Sequence, residues 1–197
     1  MFPLGSVLVP GQVLPLQVFE PRYRALVETC VAGDRRFGVV LIERGSEVGG
    51  GDVRFEVGTV ARIEALGSAP DGRYLLTAVG TDRFRVIEWL TDAPFPRARV
   101  ELIIDPEVGA DALERRAAVA QGFAWVLDAA RALGAEIPSD IALADDPVQA
   151  GWDAVALAPI GPLDVLAVLS EDDPVTRLDL VVEALAGAVE ILESRLT

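Results

Sequence analysis

The chain has 197 residues, 51% of them hydrophobic, with 17 basic against 31 acidic side chains and a formal net charge of -14. Every basic residue is arginine, no histidine or lysine occurs, and Cys30 is the single cysteine. Those absences exclude Ser/His/Asp and Cys/His triads, the Ser-Lys dyad, Schiff-base chemistry and the phosphate-gripping P-loop lysine, and they leave too few ligands for a zinc site.

Residues 2 to 19 carry no charge, yet Pro3, Pro10 and Pro15 with Gly5 and Gly11 would break a membrane-spanning helix. No cationic segment precedes them as a signal peptide requires. The pattern predicts strands over Phe2 to Val9 and Val13 to Phe19, divided by the turn signal Pro10-Gly11. Glu20-Pro21-Arg22-Tyr23 then opens a helix that runs to about Val31, with Pro21 in the first turn, where its missing N–H costs nothing. Cys30 falls in the apolar stretch Ala25 to Val31, where a lone cysteine acts as a small inert hydrophobe. One cysteine cannot form an internal disulfide, so a reducing, cytoplasmic setting is expected.

Further strands are predicted over Phe37 to Glu43, Phe55 to Leu66, Arg73 to Val79, Arg83 to Leu90 and Arg97 to Ile104. Gly49-Gly50-Gly51-Asp52, Pro70-Asp71-Gly72 and Gly80-Thr81-Asp82 are the turn signals between them. The triple glycine reads as a hairpin loop rather than a phosphate cradle, because a strand follows it in place of the P-loop Lys and Ser/Thr. Seven short strands suggest a closed or nearly closed barrel.

Charge and hydrophobic period both change near Asp105. Residues 1–104 hold 12 Arg against 13 acids, net -1, and residues 105–197 hold 5 Arg against 18 acids, net -13. Two modules are therefore expected, 1–104 and 105–197. In the second, Asp111 with Glu114 gives a capping-box-like helix start. Leu113, Ala117, Ala120, Phe123, Ala124, Leu127 and Ala130 form its apolar stripe, and Gly134 stops it. Three more helices should begin with proline at the first position, at Asp146-Pro147, Gly161-Pro162 and Asp173-Pro174. Leu178, Val181, Val182, Leu185, Val189, Leu192 and Leu196 form the last stripe, expected to pack on the 111–133 helix in a small bundle. Its acidic polar face argues against a membrane role. Trp89, Trp125 and Trp152 are expected to be core or junction anchors.

Several ordered strings resemble the N-terminal, substrate-binding domain of the Lon protease family. They are Phe2-Pro3-Leu4 through Val9-Pro10-Gly11-Gln12-Val13-Leu14-Pro15-Leu16, Phe19-Glu20-Pro21-Arg22-Tyr23, Arg36 to Leu41, Val57 to Ile63, Pro70 to Tyr74 and Gly80 to Val86, with Asp172 to Leu178 in the last-helix position. The resemblance implies an α+β fold, a PUA-like β pseudo-barrel followed by a small α-helical bundle. It also implies a module that binds polypeptide substrates or a partner protein without cutting them, as a possible adaptor in protein quality control. Full-length Lon proteases add ATPase and Ser-Lys protease modules, neither of which these residues contain.

No catalytic, cofactor-binding or metal-binding residues are expected. Glu20, Arg22 and Tyr23, at the strand-to-helix junction, are the candidate partner-binding residues, with an internal ion pair and core packing as their structural alternative. RNA binding is the competing function, because Arg83, Arg85, Arg97 and Arg99 would form a cationic stripe if their strands are neighbours. The acidic second half opposes it. A carboxylate-only enzyme is a third reading, resting on Asp145-Asp146 and Glu171-Asp172-Asp173, although both clusters precede proline-led helices where capping accounts for acids. Nothing in the sequence specifies an oligomeric state.

Overall fold

Alternating side chains and close-approach glycines build the first of two compact units, Met1–Ile104; the second begins at Asp105. The computed structural model describes residues 1–196. In the first unit the order is β1 (Phe2–Leu4), β2 (Val13–Val18), α1 (Pro21–Ala32), β3 (Arg36–Arg44), β4 (Val53–Ser68), β5 (Tyr74–Leu90) and β6 (Arg97–Ile103). The sheet runs β1-β3-β4-β5-β2, with β1 parallel to β3, the other pairs antiparallel, and β6 also on β5.

One edge of β5 receives β2 along residues 74–79 and then β6 along 83–90, while β4 lies along its other edge. Register slips between Thr59 and Ala61 and between Ile63 and Ala65 bend the two long strands, as bulges do in curved sheets. Residues of the inner face, among them Phe2, Leu4, Phe37, Val39, Ile63 and Leu76, enclose the main core with Leu26 and Val27 of α1, and Val40, Phe84 and Val86 form a smaller cluster.

The strands expected over Arg73 to Val79 and Arg83 to Leu90 are one continuous strand, and Gly80-Thr81-Asp82 is a bulge inside it rather than a turn. Gly80 donates to the Gln12 carbonyl and accepts from Gly11 N–H, both at 2.9 Å. A Cβ there would sit 2.2 Å from the Val9 carbonyl oxygen. The glycine marks the place where another segment meets the strand, a use of strand glycine that resembles a turn signal in sequence. The 49–51 loop joins β3 to β4, and its three glycines have φ of 98°, 81° and 76°, a run that side-chain-bearing residues avoid.

The second unit holds α2 (Asp111–Ala132), α3 (Pro147–Leu157), α4 (Pro162–Ser170) and α5 (Pro174–Glu193). All three proline-led starts stand where the sequence places them. Asp146 caps α3 by accepting from Gln149 N–H at 2.8 Å, and Asp173 caps α5 by accepting from Thr176 N–H at 2.7 Å. Helix α5 is the hub, packed by α2, α3 and α4, and it buries Leu178, Val181, Leu185, Ala188 and Leu192.

Helix α2 departs from expectation. Its N-cap is Ala110, with no side-chain cap bond, so Asp111 is the first helical residue and not a cap. Its buried face is Ala112, Val119, Gly122, Phe123, Val126 and Ala129, rotated from the expected stripe, and Leu113, Ala117 and Ala124 face solvent. Trp152 is buried, but Trp125 is 56% exposed and anchors no core. No helix among the described residues is long and apolar enough to cross a membrane.

Candidate functional site

The junction between β2 and α1 carries Glu20, Arg22 and Tyr23 on the entry turn of the helix. Glu20 is the N-cap position but makes no cap bond; its carboxylate accepts from Arg22 Nε at 3.1 Å. The same Glu20 oxygen lies 3.4 Å from Gly49 N–H, and Arg22 Nη2 donates to the Glu47 carbonyl at 3.1 Å. The pair therefore grips the β3–β4 loop on both sides of Val48. Glu47 is fixed in turn, its carboxylate accepting from Gly5 N–H at 2.5 Å.

Tyr23 supports this grip from below. It is 3% exposed, its ring stacks on Phe2 at 4.2 Å between centroids, and the Arg22 guanidinium lies 4.3 Å from its ring centroid. Its hydroxyl has no hydrogen-bond partner among the described residues. Burial pushes the Tyr23 pKa up to about 12, with the neighbouring Arg22 charge pulling the other way.

Beside this network lies a cluster that the sequence did not join together. Asp52 pairs with Arg54, Arg54 reaches Asp92 at 3.3 Å, and the Arg54 guanidinium lies 5.0 Å from the Trp89 ring centroid. Burial by itself raises the Asp52 pKa, but the hydrogen bond and charge of Arg54 outweigh it and hold the carboxyl below its usual value. The i, i+2 spacing of Asp52 and Arg54 was the available signal, because alternate residues share one face of a strand.

The outcome of this arrangement is apolar exposure at fixed positions. Val48 is 55% exposed between the two backbone groups held by Glu20 and Arg22, and Phe19, next to Glu20 in the chain, is 54% exposed. The backbone on both sides of Val48 is held by these hydrogen bonds, so its side chain loses less freedom when something packs on it than one on an untethered loop.

The strands of the competing arginine-stripe reading are neighbours, β5 beside β6, but acidic residues interrupt the row. Arg83 is 3% exposed, Arg85 stands opposite Glu101, and Arg99 pairs with Glu88 at 3.0 Å. Elsewhere in this unit Asp34–Arg36, Arg62–Glu64 and Asp71–Arg73 repeat the i, i+2 pairing of Glu20–Arg22. A phosphate backbone needs clustered, available cations, whereas here Arg83 is buried, Arg85 and Arg99 have acidic cross-strand neighbours, and Arg97 donates to the Thr91 carbonyl. The acidic clusters of the second unit are structural as well: Asp146 and Asp173 cap helices, Asp145 lies 3.6 Å from Arg116, and Glu171 accepts from Asp173 N–H at 2.8 Å. Among the described residues no group of three or more acidic or cysteine side chains is placed to hold a metal ion. Burial pushes the Cys30 thiol pKa up, and its sulfur lies 3.1 Å from the Arg36 carbonyl oxygen.

Comparison with known proteins gives a consistent result. Residues 1–187 match the family model described as the ATP-dependent protease La (LON) substrate-binding domain. The chain is 40% identical over 103 residues, 51% of its length, to Lon protease 2 of Myxococcus xanthus. It is 31% identical over 192 residues, 95% of its length, to the Lon protease of Methylocella silvestris. It spans only 12% and 24% of those two relatives. The crystal structure of a Lon N-terminal domain protein from Xanthomonas campestris superposes with a TM-score of 0.66 at 30% identity, covering 92% of this chain and 95% of that one. The N-terminal domain of a Mycobacterium avium complex Lon protease shares the fold, with a TM-score of 0.62 at 17% identity.

Proposed function

Because the chain belongs to the LON substrate-binding domain family, we propose that it is a recognition module that binds unfolded or flexible polypeptide segments and performs no cleavage itself. The observation that carries this reading is the presentation of Val48 and Phe19. Two apolar side chains stand in solvent beside an ion pair that fixes the backbone around one of them. An unfolded chain exposes apolar side chains that a folded one buries, so exposed apolar side chains such as Val48 and Phe19 are places where such chains gain burial and folded ones do not.

In this reading Glu20 and Arg22 hold the loop, and Tyr23 holds Arg22. They contribute to binding by preorganising Val48 rather than by touching the client. Recognition without cleavage is supported by the residue inventory, since no side chain here offers the imidazole or amine that hydrolytic triads and dyads use. As an adaptor, the module would hold a client for a proteolytic engine of the kind its longer relatives are named for.

The test is capture of a reduced and alkylated, permanently unfolded protein by the purified chain. Saturable binding is expected, and Phe19→Ser combined with Val48→Ser should weaken it about tenfold, the scale of a small apolar anchor. Arg22→Ala should weaken it less, by releasing the loop. No saturable binding at high micromolar concentration overturns the reading.

A further inference from the structure

The second unit carries an open groove between α4 and α5, with a volume of about 250 Å³. Ile160, Leu180, Gly187 and Ile191 line it together with the acidic Asp164 and Glu183. Ile191 is 55% exposed, Leu163 of α4 is exposed as well, and a side chain built on Gly187 would meet nothing within 4 Å. The sequence reading treated α5 as a helix whose apolar side is consumed by the bundle. The structure shows that the adjoining flank of α5, beside α4, also carries apolar side chains, among them the exposed Ile191.

We propose that this groove is a docking site for a cationic, apolar helical segment of a partner polypeptide. The volume lies below the range of small-molecule pockets, roughly 300 to 1,000 Å³, and suits two side chains spaced i and i+4 along a helix laid in the groove.

Charge selects among the occupants. Residues 105–197 carry a net charge of -13. Glu190 follows Glu183 by seven positions, two helical turns along the same side of α5. The arginines of this unit are mostly engaged internally: Arg115 with Asp179 at 3.2 Å, Arg131 with Asp128 at 3.1 Å, Arg116 with the Ala144 carbonyl, and Arg177 with Asp105. Arg195 lies beyond the last residue of α5, Glu193, four positions after Ile191. A second copy of the chain would bring the same acidic surface, and nucleic acid or an anionic membrane would meet like charge. A segment combining leucine-like side chains with lysine or arginine satisfies both the apolar and the acidic residues of the lining. This site is independent of the Phe19 and Val48 reading.

The test uses the full chain and a fluorescent helix-forming peptide with leucines at i, i+4 spacing and lysines elsewhere, beside a control in which every lysine is glutamate. The lysine peptide should bind saturably and more weakly as salt rises, and the control should not bind. Gly187→Leu fills the groove from an open helical position and should lower affinity at least about tenfold, with circular dichroism confirming that the fold is kept. Glu183→Gln with Glu190→Gln should lower affinity several-fold and flatten the salt dependence. Unchanged affinity in the Gly187→Leu chain, or equal binding of the control peptide, overturns the proposal. So does concentration-dependent self-association that Gly187→Leu abolishes, since that assigns the groove to a second copy. Phe19→Ser with Val48→Ser should leave peptide binding unchanged. Absence of peptide binding beside intact capture of unfolded protein refutes the groove alone.

Discussion

Arg177 donates to both carboxylate oxygens of Asp105, at 3.1 and 2.5 Å, while its guanidinium lies 4.7 Å from the ring centroid of Trp152. Asp105 opens the second unit and Arg177 sits in the first turn of α5, so the pair ties the entering chain to the hub helix. Arg177 is buried and also donates to the Glu171 carbonyl at 3.0 Å. Asp105→Ala leaves a buried guanidinium short of its counter-charge and should cost about 3 kcal/mol in urea unfolding. Replacing both partners, Asp105→Leu with Arg177→Met, should cost less than Asp105→Ala alone. The reverse order would show that the pair is worth more than its desolvation.

Tyr23 should give the alkaline limb of stability a distinct signature. Its folded pKa is about 12 against an ordinary 10, so the unfolded chain ionises first. The corresponding stability is complete below pH 10 and falls between pH 10 and about 12. In an ultraviolet titration one of the chain's two tyrosines should ionise late, and Tyr23→Phe should remove that step. The same substitution deletes a buried hydroxyl without a partner and should leave neutral-pH stability unchanged or higher by up to about 1 kcal/mol.

The two aspartate caps should each contribute measurable stability. Asp146→Ala should destabilise the chain by about 1 kcal/mol, as loss of an N-cap does. The hydrogen bonds that Asp173 accepts from Thr176 hold its pKa below 3.8. Its stabilisation is therefore present above the ordinary carboxylate value and lost as pH falls through the lowered one. Asp173→Asn should reduce the slope of stability against pH below 4, measured by circular dichroism.

Two glycines should respond oppositely to alanine. Gly80→Ala forces a methyl group against the Val9 carbonyl and should cost roughly 3 kcal/mol or more, because backbone has to move. Gly187→Ala meets open space and should stabilise by about 0.5 to 1 kcal/mol through helix propensity. Thermal unfolding of the two variants beside the parent chain checks both.

Local signals explain where the sequence reading succeeded. Proline at the first helical position, led by Asp146, Gly161 and Asp173, located three helices, and Pro21 located a fourth, because proline both permits the first turn and forbids the residues before it from continuing a helix. Short apolar runs between turn signals found β2, β3, β4 and β6, whereas β1, expected over Phe2 to Val9, ends at Leu4. In α2 the phase was lost because alanines surround the helix and carry little information about direction. Leu113 and Leu127 outweighed Val119 and Val126, although the latter two are the buried ones. Gly80 was misread for a related reason: its lack of a side chain serves the Val9 carbonyl from another segment, and no neighbour in sequence announces that.

Glu20, Arg22 and Tyr23 stood out as a string, but what they grip did not. Glu47 and Gly49 lie 25 and 29 residues away from their partners, and sequence spacing carries no record of a loop returning to a junction. The arginine stripe dissolved for the same reason, since the cross-strand register puts Arg85 opposite Glu101 and Arg99 beside Glu88.

Composition and periodicity by themselves determined the chemistry these residues lack, the change of character at Asp105 and most of the elements, because those properties follow from which side chains exist and how often they recur. Tertiary structure alone decided which apolar residues remain outside: Val48 pinned in solvent, Ile191 beside an unfilled Gly187, Trp125 on the wrong side of its helix for a core. Hydrophobicity is a property of a residue, but exposure is a property of everything that packs, or fails to pack, against it.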